Sequence, residues 1–324
     1  MKALVCDTYG PIANLAVRDI PAPAPGPKQV LIAVRAASVN FPDALMVQGL
    51  YQVKPPTPFT PGAEVAGVVA AAGAEVKGFK PGDAVIALVS TGGFAEQCVA
   101  DAARTIPLPV GMDFDTGAAL VLTYATSLHA LQDCAHLKSG ETLVVLGAAG
   151  GVGLAAVEIG KAMGARVIAA ASSEDKLSLC REAGADATID YATESLKDRI
   201  SELTDGKGAD VIYDPVGGPY AEPALRALAW RGRFLVVGFA AGDIPKVPLN
   251  LALLKERSIV GVYWGEWTRH DPAGHVANLK QLQAWFAAGR IRPVVSEHYP
   301  LEDARAAIEA IAGRRVKGKI VVNP

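Results

Sequence analysis

The stretch Thr142-Leu143-Val144-Val145-Leu146-Gly147-Ala148-Ala149-Gly150-Gly151-Val152-Gly153 decides the fold. The apolar run Thr142–Leu146 reads as a buried strand, a glycine-rich turn follows, and Val152–Met163 reads as a helix. A strand feeding a helix through such a turn aims backbone N–H groups and the positive helix end at one point, which suits a pyrophosphate. Ala149, Gly150, Gly151, Val152 and Gly153 would line that point; Gly150 lets a ligand approach the backbone and Gly153 lets helix and strand pack closely. The pattern is Ala148-x-Gly150-x-x-Gly153, with Ala where the usual fingerprint has its first Gly. A tight turn in any α/β protein is the competing reading. The second strand-like run, Arg166–Ala171, ends at the expected distance and favours dinucleotide binding.

An NAD site wants a carboxylate about 20 residues past the loop, for the ribose 2′-OH. Here stand Ser172 and Ser173, with Lys176 one helical turn on, offering hydroxyls and a positive charge to a 2′-phosphate. This favours NADPH. Glu174 and Asp175 are close by and would repel a phosphate if they faced it; Ser172 or Ser173 as a helix cap with acids in the first turn is the alternative, and both readings can hold together.

Outward from the loop, strand-like and helix-like runs alternate: Glu174–Ala183, Asp210–Tyr213, Ala221–Leu228 and Arg233–Val237. Alternation of this kind means βαβ units and a parallel sheet. The preceding Phe114–Leu137 reads as helix, interrupted near Leu122-Thr123. Before about residue 110, short apolar runs at Val30–Val34, Val65–Ala72 and Ala84–Val89, separated by turn signals such as Lys80-Pro81-Gly82-Asp83, read as a compact β-rich domain. Beyond Pro248 come a helical stretch, the strand Ser258–Val262, helices near Gly274–Ala288 and Leu301–Ile311, and a last strand Lys319–Val322.

The 324 residues are 51% hydrophobic and 20% charged with a formal net charge of -2, a globular composition that makes nucleic acid or an anionic membrane a poor partner. With an acid at Asp7 and no run of transmembrane length, a cytoplasmic location is expected. Cys6, Cys98, Cys134 and Cys180 are scattered singly and read as buried small apolar residues; the five histidines show no metal spacing.

Several stretches match, in order and through nearly the whole chain, one known family: Ser38-Val39-Asn40-Phe41-Pro42-Asp43, Gln48-Gly49-Leu50-Tyr51, Pro61-Gly62-Ala63-Glu64-Val65-Ala66-Gly67, Lys80-Pro81-Gly82-Asp83, Gly140-Glu141, Ala148–Gly153, Asp214-Pro215-Val216-Gly217-Gly218 and Val237-Gly238-Phe239. The chain resembles the medium-chain dehydrogenase/reductase superfamily, and within it the zinc-independent quinone oxidoreductase (zeta-crystallin-like) branch. The resemblance implies a GroES-like β-rich catalytic domain over 1–120, to which 260–324 returns, and a Rossmann NADPH-binding domain over 121–259. Zinc members of the superfamily carry a ligand Cys about where Asn40 stands, a His where Ala63 stands, and a cysteine-rich lobe that this chain lacks, so no metal is expected.

By the same resemblance Asn40 and Tyr51 lie at the substrate–nicotinamide cleft, Tyr51 as hydrogen-bond donor, although a tyrosine packed against the neighbouring prolines is an alternative. Thr123 falls near the nicotinamide, Tyr191 beside the adenosine phosphate, Val216, Gly238, Phe239 and Tyr263 along the cofactor groove, and Lys319 near its phosphate side. Without a Lewis acid, hydride must go to an acceptor already made electron-poor by conjugation. A quinone is expected first; an enone or 2-enoyl thioester is the alternative, and an NADPH-loaded binding protein without turnover the third reading. A homodimer is expected, with Ser258–Val262 at a sheet edge.

Overall fold

The computed structural model describes residues 1–324, which form two compact units: Met1–Leu122 with Pro293–Pro324, and Thr123–Arg292. In chain order the elements are β1 (Lys2–Val5), β2 (Ala16–Asp19), β3 (Gln29–Val39), α1 (Phe41–Val47), β4 (Glu64–Ala72), β5 (Ala84–Leu88), β6 (Gln97–Asp101), β7 (Thr105–Pro107), α2 (Phe114–Ala118) and α3 (Val121–Leu128). There follow β8 (Thr142–Leu146), α4 (Gly151–Ala162), β9 (Arg166–Ala171), α5 (Glu174–Glu182), β10 (Ala187–Asp190), α6 (Leu196–Leu203), β11 (Ala209–Asp214), α7 (Ala221–Arg226), β12 (Leu228–Val236), α8 (Asn250–Leu253) and β13 (Ser258–Gly261). The chain ends with α9 (Trp264–His270), α10 (Pro272–Ala287), β14 (Val295–Pro300), α11 (Ala304–Ala312) and β15 (Lys319–Asn323).

The first unit is built on β3. Its alternating apolar residues Val30, Ile32 and Val34 enter the core. One edge pairs with β4; the other takes β6 over Gln29–Ala33 and β15 over Ala37–Val39, all antiparallel. The sheet runs β14-β15-β3-β4-β5-β7. Gly67 on β4 is required by this pairing, because a Cβ there would lie 2.2 Å from the Ala33 carbonyl oxygen.

The second unit is a parallel sheet in the order β10-β9-β8-β11-β12-β13. Counted from β8, that is the 3-2-1-4-5-6 order of a doubly wound dinucleotide fold. Its central strands read as continuous apolar runs because helices cover both faces: Leu143 to Leu146 and Val167 to Ala170 are fully buried.

Two expectations are corrected. The chain returns to the first unit at Pro293, not at 260, because β13 completes the parallel sheet beside β12 and the backbone N–H of Arg292 is tied to Glu158 on α4. The helix Phe114–Leu137 breaks at Ala119–Leu120 and, after α3, passes into a π-helical turn, His129–Cys134.

Helix α4, which follows the glycine-rich turn, is anchored from within. Tyr124 Oη donates to Glu158 Oε2 at 2.5 Å and Arg292 N donates to both carboxylate oxygens at 3.2 Å. Burial pushes the Glu158 carboxyl up to about 7, against the lowering effect of these donors. The folded state therefore holds a proton that the unfolded chain has released. The associated stability is complete below pH 4.5 and is lost as pH rises toward 7, up to about 3 kcal/mol from this group. Glu158→Gln keeps an oxygen acceptor and removes the ionisation, so thermal melts between about pH 5 and pH 8 should slope less than those of the wild type; an unchanged slope contradicts the assignment.

Candidate active site

In the second unit the carboxyl ends of all six strands carry the residues singled out for the cofactor. β8 passes through Gly147, in the left-handed region at φ 57°, into α4, whose N-cap is Gly150. The two later glycines of the loop answer different needs. A Cβ on Gly153 would lie 2.3 Å from Gly147 O and 2.8 Å from Ala148 Cα, so the fold itself demands glycine. A Cβ on Gly150 meets only Gly147 O, at 3.4 Å, an ordinary contact. Open backbone at the N-terminus of a twelve-residue helix is what an incoming phosphate requires. Ala149 is buried in the turn, and Gly151 and Val152 open the helix.

At the end of β9, Ser172 is exposed and Lys176 Nζ lies 3.4 Å from its Oγ. Ser173 stands at the N-cap of α5 in extended conformation, with no cap bond from its side chain. Glu174 is paired with Arg181 on the same helix. Tyr191 follows β10, its ring 4.4 Å from that of Tyr220. At the end of β11 the buried Asp214 carboxylate accepts from Val216 N and Gly217 N, both at 2.8 Å, which fixes the Pro215–Gly217 turn. Burial raises the Asp214 carboxyl while these two donors lower it; the net shift is upward. Gly238 and Phe239 follow β12, and a Cβ on Gly217 would lie 2.8 Å from Phe239 Cδ1, so the two turns pack on each other. Tyr263, beyond β13, is half exposed. Thr123 is buried on α3.

The first unit holds a second constellation, which sequence reasoning missed. Asn40, the N-cap of α1, is 5% exposed; its Oδ1 accepts from Lys319 Nζ at 2.5 Å and its Nδ2 donates to Ser38 O at 3.2 Å and Ser38 Oγ at 3.1 Å. Ser38 Oγ donates to Glu64 Oε2 at 2.7 Å, and Leu122 N donates to Glu64 Oε1 at 2.8 Å. Asp43 accepts the Asn40 N–H at 2.7 Å. Burial raises both carboxyls, Asp43 to about 7, and lowers the Lys319 ammonium, while attraction between the ammonium and the two acids opposes each shift.

Lys319 is thus corrected: it is 4% exposed on β15, its ammonium committed to Asn40 Oδ1 and Val39 O, not free beside a phosphate. Asn40 anchors this cluster through all its polar atoms. Tyr51, just past α1, is half-buried against the apolar core of the same unit. Glu64 and Asp43 were visible as acids inside apolar stretches, a signal that could have marked them. The constellation does not fit a catalytic zinc: Ala63 has no ligand atom and Asn40 already holds an ammonium.

Residues 26–110 match the family described as alcohol dehydrogenase GroES-like domain, and residues 151–281 the family described as zinc-binding dehydrogenase. The chain is 38% identical to the quinone oxidoreductase-like protein 2 homolog of Nematostella vectensis, over 99% of this chain and 88% of that one. Its structure is similar to that of Escherichia coli quinone oxidoreductase complexed with NADPH (TM-score 0.92, 28% identity, 100% of both chains). It is also similar to CurK enoyl reductase (TM-score 0.89, 27% identity, 99% and 98% of the two chains).

The two glycines should separate in experiment. Gly153→Ala should lower the melting temperature and abolish dinucleotide binding, since overpacking of this kind costs roughly 1–3 kcal/mol. Gly150→Ala should melt within a few degrees of the wild type yet bind at least about tenfold more weakly, read by quenching of tryptophan fluorescence; equal binding by Gly150→Ala would contradict this placement of the phosphate. Strand order, phosphate loop and full-length likeness agree, and the chain belongs to the medium-chain dehydrogenase/reductase family, in its quinone oxidoreductase branch.

Proposed function

We propose that this protein is an NADPH-dependent oxidoreductase that delivers hydride to a quinone without zinc. The observation that carries the reading is the Ser172–Lys176 pair at the end of β9, where an NAD-specific sheet of this order would present a carboxylate. The NADPH complex of the E. coli relative supports it.

NADPH, when bound, supplies the hydride. The chain does the rest. The Gly150–Gly153 backbone and the α4 dipole hold the pyrophosphate, and Ser172, Ser173 and Lys176 take the 2′-phosphate. Val216, Gly238, Phe239 and Tyr263 line the groove along the strand ends. As hydride adds to the conjugated acceptor, negative charge grows on its oxygen, and the Tyr51 hydroxyl donates to that oxygen. Asn40, locked by Lys319 and Ser38, holds the start of α1 and with it the segment leading to Tyr51.

The likeness to an enoyl reductase favours a second reading, reduction of an enone or 2-enoyl thioester with Tyr51 near the enolate oxygen. The edge strand β13, with Ile259 40% exposed, supports pairing with a second copy of the chain. Light scattering on the purified protein tests that homodimer. No helix is long and apolar enough to cross a membrane.

The deciding assay follows absorbance at 340 nm with NADPH and, in turn, 1,4-benzoquinone, 9,10-phenanthrenequinone, an enone and crotonyl-CoA, with a chelator present throughout. Turnover with quinones alone is expected. Turnover of the enone or thioester alone would replace the quinone reading with the second one, and binding without turnover would refute catalysis. Tyr51→Phe is expected to lower kcat by about 10²-fold with little change in KM for NADPH; an unchanged kcat removes Tyr51 from the chemistry.

A further inference from the structure

The π-helical turn His129–Cys134 extends α3 and carries His129, Asp133 and Cys134. In an α-helix the fifth residue on is turned about 140° away from the first. A π turn holds more residues, so the first, fifth and sixth share a face, and such turns occur often at functional sites. Here Cys134 Sγ lies 3.4 Å from His129 Nε2, and His129 Nδ1 lies 2.9 Å from Asp133 Oδ2.

Hydrogen-bond bookkeeping sets the roles. Asp133 Oδ2 also accepts from Asn278 Nδ2 at 2.9 Å, and Asn278 Oδ1 in turn accepts from Gln132 Nε2 at 3.0 Å. A carboxylate only accepts, so a neutral His129 donates through Nδ1 and turns the lone pair of Nε2 toward the thiol. Trp267 stacks on the imidazole at 4.1 Å and fixes its plane. Nucleophile, base and orienting acid thus stand in the relation that activates a thiol.

We propose that Cys134 is a nucleophilic modification site for α,β-unsaturated carbonyl electrophiles, with His129 as its base and Asp133 as the group that orients the base. This inference goes beyond hydride transfer and does not depend on it. In the step, a bond forms between Sγ and the β-carbon while the alkene π bond breaks toward the carbonyl, giving an enolate. The thiol proton passes to His129 Nε2 and then to the α-carbon. The product is a thioether, and nothing is oxidised or reduced.

Burial, and then the Asp133 charge, push the Cys134 thiol up to about 11. The resting group is therefore a thiol, and its proton leaves in the reacting step to His129. Other titratable or charged groups around the turn are His136, whose Nδ1 lies 3.2 Å from Gln132 O, His275 on α10, edge-on to Trp267 at 6.4 Å, and Arg233 on β12, which donates to Ala135 O and is paired with Glu141. Cys6, Cys98 and Cys180 are buried, whereas Cys134, expected to be buried, is half-exposed, which makes it the accessible thiol.

The test treats the full chain with N-ethylmaleimide under native conditions and reads adducts by intact mass and peptide mapping. A single adduct is expected, at Cys134, and none in Cys134→Ser. His129→Gln and Asp133→Asn should each slow the reaction at least about tenfold. The wild-type rate should rise less steeply with pH than that of His129→Gln, which lacks the base and should keep rising about tenfold per pH unit toward the thiol's own ionisation. A role in packing alone would leave that pH slope unchanged, and Asp133→Asn carries the same comparison should His129→Gln not fold. No adduct at Cys134 in the folded protein, or equal rates and slopes in the variants and the wild type, would overturn the proposal.

Discussion

The second unit depends on how closely α4 approaches the end of β8. With Gly147 in the left-handed region and Gly153 too near Gly147 O to carry a side chain, the helix axis is fixed on the strand that starts the doubly wound order. Its buried flank is held by Tyr124, Glu158 and the Arg292 backbone. Once α4 is fixed, the strand ends present Tyr191, Ser172, Val216, Phe239 and Tyr263 in that order across the sheet, with the glycine-rich turn of β8 between Ser172 and Val216.

The first unit solves a different problem. Two carboxylates, Asp43 and Glu64, are buried in a core of Val, Ala and Ile, and such charges are costly unless paired. The Lys319 ammonium compensates both, and it also grips Asn40 at the start of α1. A resident cation of the protein's own fills the charge requirement beside the residue that stands where zinc members of the superfamily have their ligand cysteine. Tyr51, placed just beyond α1 and packed on the same core, is the residue proposed above as donor to the acceptor oxygen.

What the sequence made legible was local. The apolar runs, the glycine turn and the serine–lysine pair lie within about forty residues of one another, and each follows from strand, helix or turn preference. The Lys319–Asn40 bond joins residues 279 apart, so no spacing rule reaches it. The π turn was hidden because its composition is that of the helix it extends, and only the shift in backbone pattern brings Cys134 beneath His129. The short strand β10 and helix α6 were missed, with half-exposed Ala187 and Thr188 blurring the apolar alternation. The return point at Pro293 was missed because the helix near Gly274–Ala288 does not show from its sequence which sheet it covers.

We propose that the end of β9 is a 2′-phosphate site. Calorimetric titration of the purified protein with NADPH and with NADH tests it most directly, repeated at low and high salt because a charged contact is screened. NADPH should bind at least about tenfold more tightly, with the margin narrowing as salt rises. Equal affinities, or a preference for NADH, would contradict the account.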